Sequence, residues 1–197
     1  MKLYGTTTSP FVRRVRVAAI EIGHDFELIN TAHDDGQAAL RACSPIWKVP
    51  VAEVDGRLLY DSRVIIDWLT TVHGWGAMKP PTDRWQDANL VSAIDGALES
   101  GVQLFYLRRE GVDVDQLPFG QRQRARIAAI FEWLAGQLGR HGFGEGLGLP
   151  ELSLIATLDW MAFREIVPTA DLPGGFAVLQ AHYGERASLV ATRPIAT

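Results

Sequence analysis

Two short polar sequences stand where helices begin, and both are suited to holding anions. Ser9-Pro10 precedes a run in which Phe11, Val15, Ala18, Ala19 and Ile22 recur at helical spacing. Proline is favoured at a first helical position, and Gly23 is placed to end the segment. The start of a helix offers unpaired N–H groups and the positive end of its dipole, which stabilise a negative charge. The Ser9 hydroxyl can donate to an anion held there, or it can simply cap the helix. Asp61-Ser62 opens a second such run, with Val64, Ile65, Trp68, Leu69 and Val72 on one face. Its N–H groups and the Ser62 hydroxyl suit a carboxylate, and Asp61 can accept from an ammonium. The alternative is that one of the two residues simply caps the helix, and both can hold at once, because capping and anion binding use the same donors. The single cysteine, Cys43, sits beside apolar residues and reads as a small hydrophobe rather than a nucleophile.

The elements that position these residues form two grammars. Lys2–Tyr4, Phe26–Ile29, Val51–Val54 and Leu58–Tyr60 read as strands. Helices are expected from Pro10, over Asp34–Ala42 and from Asp61. Asp55-Gly56 is a hairpin signal. The order β-α-β-α-β-β-α implies a parallel βαβ unit followed by an antiparallel hairpin. Residues 76–83 contain Pro80-Pro81 and read as a linker in which Thr82 or Asp83 caps the next helix. Helices follow over about 83–110, 119–140, 150–166 and 176–183, the third apolar nearly all round and therefore central. An irregular tail is expected to close the chain. The expected domains are 1–75, α/β, and 84–197, all-helical.

Composition excludes several classes. The 197 residues carry a formal net charge of -4, which offers no general attraction to nucleic acid. No apolar run approaches the roughly 20 residues that cross a bilayer. The N-terminus lacks a signal-peptide pattern, so a cytoplasmic location is the expectation. The histidines show no metal-ligand spacing, and no metal is expected. Gly142, Gly144, Gly146 and Gly148 lack a preceding strand and read as a flexible interhelical loop. Arg13, Arg14 and Arg16 read as a solvated or dimer-facing patch.

Four patterns in order carry a family resemblance. They are Thr8-Ser9-Pro10-Phe11-Val12-Arg13, Ser44-Pro45-Ile46-Trp47-Lys48-Val49-Pro50-Val51, Leu59-Tyr60-Asp61-Ser62, and Arg186-Ala187-Ser188 followed by Ala191-Thr192-Arg193-Pro194. Together the set resembles the glutathione S-transferase superfamily. The resemblance implies a thioredoxin-like N-terminal domain, an all-α C-terminal domain and a homodimer. It implies glutathione as co-substrate and a small electrophile as second substrate. Ser9 takes the catalytic position, donating to the glutathione thiolate, and Phe11 lies among the glutathione-binding residues. The bond before Pro50 is implied to be cis, turning the Val49 backbone towards the cysteinyl unit. Lys48 is placed to meet a glutathione carboxylate, or is a solvated loop lysine. Asp61 and Ser62 are placed to hold the γ-glutamyl end.

Tyr106, Arg109, Trp160 and Phe163 are candidates for the second-substrate pocket, with core packing the alternative for the last two. The sequence departs from the family at Trp47, where glycine is common, at Asp61, one methylene shorter than the usual residue, and at Gly148, which replaces a capping hydroxyl. Glu151 can still reach back to an unpaired N–H. A non-catalytic binding protein of the same fold, and a glutathione-dependent isomerase or dehalogenase, are the alternatives to a transferase.

Overall fold

The computed structural model describes residues 1–195. In chain order the elements are β1 (Lys2–Gly5), α1 (Pro10–Ile22), β2 (Glu27–Asn30), α2 (Asp34–Cys43), β3 (Val51–Val54), β4 (Arg57–Leu59), α3 (Ser62–His73), α4 (Arg84–Arg109), α5 (Pro118–Gln137), α6 (Leu149–Phe163), α7 (Gly174–Tyr183) and α8 (Ala187–Ala191). A 3-10 turn, Thr169–Asp171, precedes α7. Two compact units result, one of Met1–Met78 with residues 185–195, the other Lys79–Gly184.

The first unit is thioredoxin-like. Its mixed sheet has the order β2-β1-β3-β4. β1 and β2 are parallel, while β3 runs antiparallel to both β1 and β4. Successive strand side chains point to opposite faces. Tyr4 and Val51 accordingly pack with Leu40 of α2, and Ile29, Ala39, Cys43 and Val49 close round them. Helices α1 and α3 pack on one another. Gly23 ends α1 in the left-handed region, φ 77°, and donates its N–H to Ala19 O and Ile20 O.

The tail is not irregular. It forms α8 and belongs with the first unit, whereas the division at 76–83 assigned everything after it to the helical domain. The last two residues of that expected domain lie outside the described residues. The physical reason is Glu21 on α1, whose carboxylate accepts from Arg186 Nε at 2.7 Å, from Arg186 Nη2 at 2.6 Å and from the Ser188 hydroxyl. Arg13 adds Nη2 to Leu189 O at 3.3 Å and Nε to Thr192 Oγ1 at 3.4 Å. The tail pattern Arg-x-Ser then Thr is therefore a clasp on α1. These contacts also correct the reading of the arginine cluster: Arg13 and Arg14 are each 2% exposed, not a solvated patch.

The second unit is all-helical. Helix α4 packs against α5 and α6, and α7 packs on α6. As its composition requires, α6 is buried on nearly every side, from Leu152 to Met161. Asp83 caps α4, accepting from Trp85 N at 2.9 Å and Gln86 N at 3.1 Å. The glycine-rich segment has a packing role that a flexible loop would lack. Glu151 is fully buried and accepts from Gly148 N at 2.9 Å and Phe143 N at 2.8 Å, with Lys79 Nζ at 3.5 Å. A Cβ at Gly142 would lie 2.8 Å from Glu151 Cγ, so the chain must pass too close for a side chain there. Glu151→Gln keeps the shape but turns donors towards donors. Urea denaturation is expected to give a loss of about 1–3 kcal/mol, and an unchanged midpoint would contradict this account of the loop.

Candidate functional site at the end of the sheet

Strand register brings the candidate residues together. Tyr4 pairs with Val51, and Ala52 pairs with Leu59. The end of β1, the start of β3 and the end of β4 therefore share one end of the sheet. Just beyond these strand ends lie Ser9, Val49-Pro50 and Asp61-Ser62.

Ser9 is the N-cap of α1, with extended backbone at φ -76° and ψ 125°. Its Oγ accepts from Val12 N at 3.3 Å. An accepted bond leaves the hydroxyl proton free to be donated elsewhere. Capping and anion stabilisation are thus compatible in one side chain. Asp61 is exposed and caps α3, its Oδ1 accepting from Arg63 N at 2.9 Å. Val49 is half-buried against the α2 side of the sheet and Pro50 is buried. The Val49–Pro50 bond is cis, as is Tyr60–Asp61.

Ser62 is fully buried. Its Oγ accepts from Arg14 Nε at 2.9 Å and Arg14 Nη2 at 2.7 Å. The Arg14 guanidinium also lies 5.1 Å from the ring centroid of the half-buried Phe11. Sequence reasoning missed Arg14 as part of this end of the sheet. The signal was its setting: Val12, Val15, Val17 and Ala18 surround it with apolar positions on more than one face of α1, which a solvated arginine would not have. Arg14 ties the first turn of α3 to α1, the two helices whose N-termini open here.

Lys48 and Trp47 are both exposed, Trp47 at 64%. Trp47 adopts φ 49°, in the region glycine favours, which accounts for glycine being the common family residue there. Its ring stands outward, with the Arg41 guanidinium 5.4 Å from the centroid. Cys43 is half-buried, donates from Sγ to Leu40 O at 3.4 Å, and belongs to the α2 core.

The second-substrate candidates all lie in the helical unit. Trp160 is 5% exposed, so packing accounts for it. Phe163 is half-buried, while Tyr106 and Arg109 are exposed. The structure adds two neighbours that sequence reasoning missed, Phe105 and Arg164. The ring of Phe105 meets Tyr106 at 5.3 Å and Trp160 at 5.9 Å. The described residues contain no group of three or more His, Cys, Asp or Glu side chains able to hold a metal ion. None of the helices is long and apolar enough to cross a membrane, among the described residues.

A thioredoxin-like sheet with helix N-termini at one end, followed by an all-helical unit, is the architecture of glutathione-handling transferases. Family models agree: the glutathione S-transferase N-terminal domain matches residues 3–77, and its C-terminal domain matches 115–185. The chain belongs to the glutathione S-transferase superfamily. It is 26% identical over 174 residues to the GST-like protein YibF of Escherichia coli K12, covering 85% of each chain. It is 27% identical over 164 residues to a glutathione S-transferase of Pseudomonas putida, covering 81% of this chain and 74% of the relative. A glutathione transferase family member from Pseudomonas fluorescens Pf-5, solved with bound glutathione, is 26% identical with a TM-score of 0.78 and 99% of each chain covered.

Proposed function

We propose that the chain is a glutathione transferase that binds glutathione at the end of its first-unit sheet and presents the thiol as thiolate to an electrophile with an apolar or aromatic body. The observation that carries this reading is the register that gathers Ser9, Val49-Pro50 and Asp61-Ser62 at one end of the sheet. In this reading the γ-glutamyl end lies at the first turn of α3. There, the unpaired N–H groups take the carboxylate and Asp61 takes the ammonium. Ser62, buried beneath, contributes its backbone N–H and holds Arg14. The Val49 backbone pairs with the cysteinyl unit like an added strand, and Lys48 meets a carboxylate from the loop. Phe11 closes the apolar side near the sulfur.

A free thiol has a pKa near 8.5, and lowering it by about two units needs roughly 2.7 kcal/mol of preference for the thiolate. Ser9 and the dipole of α1 are the groups available to supply it. Titrating the thiolate absorbance of glutathione with the protein present tests this. A bound pKa clearly below the free value is expected. Binding without a shift would identify a non-catalytic member of the superfamily instead.

Arg14 is a positioning residue in this scheme. Arg14→Met is expected to raise KM for glutathione about tenfold, the size of one charge-assisted hydrogen bond, with a smaller change in kcat. An equal fall in kcat with KM unmoved would assign Arg14 another role. The protein is taken to act in the cytoplasm as a homodimer, and a monomeric mass in light scattering at micromolar concentration would refute the dimer.

A further inference from the structure

The C-terminal ends of α4 and α6 bring two guanidinium groups to one aromatic cluster. Arg164 caps the end of α6 and lies between two rings, with its guanidinium carbon 4.7 Å from the Phe105 centroid and 4.6 Å from that of Phe163. Arg109 ends α4 and stands 5.9 Å from the Phe105 centroid and 6.0 Å from that of Tyr106. Among the described residues neither side chain has a carboxylate partner, and the buried Nε of Arg164 has no acceptor.

Both arginines stand at helix C-termini, where a cation is favoured, but among the described residues neither side chain donates to a terminal carbonyl. A different residue, Arg108, already serves the end of α6, donating to Arg164 O at 3.4 Å and Glu165 O at 3.2 Å. Two unpaired cations on a partly desolvated aromatic surface repel one another and lack the counter-charge that burial normally requires. Burial, and then the nearby charge of Arg109, pushes the Arg164 pKa down. The missing element is an anion. The exposed ring of Tyr106, beside Arg109, offers a face for a flat body attached to it.

We propose that this cluster binds a carboxylate-bearing aromatic or conjugated molecule, its anionic group held by Arg109 and Arg164 and its body against Phe105 and Tyr106. That this ligand is the second substrate rests on the transferase reading above. Its binding does not. In the corresponding reaction of a chlorinated arene, the glutathione sulfur bonds to the ring carbon that carries chlorine. The C–Cl bond breaks, chloride leaves with the electron pair, and the thiol proton passes to solvent.

The test measures binding and turnover separately on the full chain. Fluorine NMR titrations compare para-trifluoromethylbenzoate with para-trifluoromethylbenzyl alcohol, which matches it in shape without the charge. The benzoate is expected to bind about tenfold more tightly, as one charge-assisted contact implies. Arg109→Met and Arg164→Met are each expected to remove most of that preference. Arg122→Met, an exposed arginine over Phe119 on α5, should leave it unchanged. Arg109 is exposed, so its variant keeps the test decisive should Arg164→Met fail to fold. Equal affinities for the two probes, or a preference that survives Arg109→Met, would overturn the proposal. Turnover then compares chlorodinitrobenzene with its carboxylated analogue chlorodinitrobenzoate. Benzoate selectivity with no turnover of either arene keeps the anion site and refutes the transferase reading. Turnover of the neutral arene with no benzoate preference does the reverse.

Discussion

Glu21→Ala is expected to destabilise the protein by about 1.5–3 kcal/mol, the range for hydrogen bonds to a charged group, because Arg186, 31% exposed, can be rehydrated when its partner is lost. The Glu21 side chain is 6% exposed and takes both forks of Arg186 together with the Ser188 hydroxyl. Without it, Arg186 loses the carboxylate that takes both its forks, and α8 loses one of its anchors on α1, Arg13 being the other. The native pairing also has a pH signature. Hydrogen bonding from Arg186, aided by Ser188 and the arginine's charge, holds the Glu21 pKa below its ordinary value, although burial opposes them. A depressed carboxylate contributes stability above its unfolded pKa, near 4.3. That contribution is lost as pH falls through the lower, folded value. Arg186→Ala should reverse the sign, because the carboxylate left buried without its cation favours the protonated form. Chemical denaturation from pH 3 to pH 7 reads both. A parallel pH dependence in wild type and Arg186→Ala would show that the clasp contributes little.

Ser9→Ala is expected to reduce kcat/KM about 10- to 100-fold, the range for a hydrogen bond to a charged group, roughly 1.5–3 kcal/mol. The loss should lie mainly in the thiolate and hardly in affinity for the tripeptide, because the γ-glutamyl end is held elsewhere. The pKa of bound glutathione should return towards that of the free thiol. Losing the cap from Val12 N at 3.3 Å costs about 1 kcal/mol of stability as well. Ser9→Thr retains both a hydroxyl and a cap, and should recover part of the activity while restoring stability. Activity falling in proportion to stability across Ser9→Ala, Ser9→Thr and an unrelated destabilised variant would make Ser9 only a cap.

Several residues at the end of the sheet have two roles, and only one of the two is local. That Ser9 and Asp61 both stand at helix starts was legible from local rules, since Pro10, Gly23 and the apolar spacing mark the boundaries. What Ser62 does was not. Its hydroxyl reads as a partner for a ligand carboxylate or as a cap, yet the side chain is fully buried and accepts from Arg14, 48 residues away in the chain. Trp47 departs from the family pattern in the binding loop, which is legible in the sequence. That its ring turns outward over Arg41 depends on a backbone angle that no local pattern encodes.

Taken alone, the sequence determined the elements from β1 to α7, their order, and the succession of an α/β unit and a helical unit, but not α8. These follow from periodicity and turn chemistry, which act over a few neighbouring residues. It also determined that Glu151 could reach back to an unpaired N–H at the start of α6, because that contact spans only three residues. Tertiary structure decided which charges are buried and against what. Arg13, Arg14 and Arg16 look alike in the chain. Packing gives Arg14 to Ser62 and Arg13 to the returning tail, while Arg109 and Arg164 meet only when α4 and α6 end side by side. The deciding terms there are the cost of desolvation and the partners, 48 to 179 residues distant for Arg14 and Arg13, that offset it, and a local pattern contains no information about either.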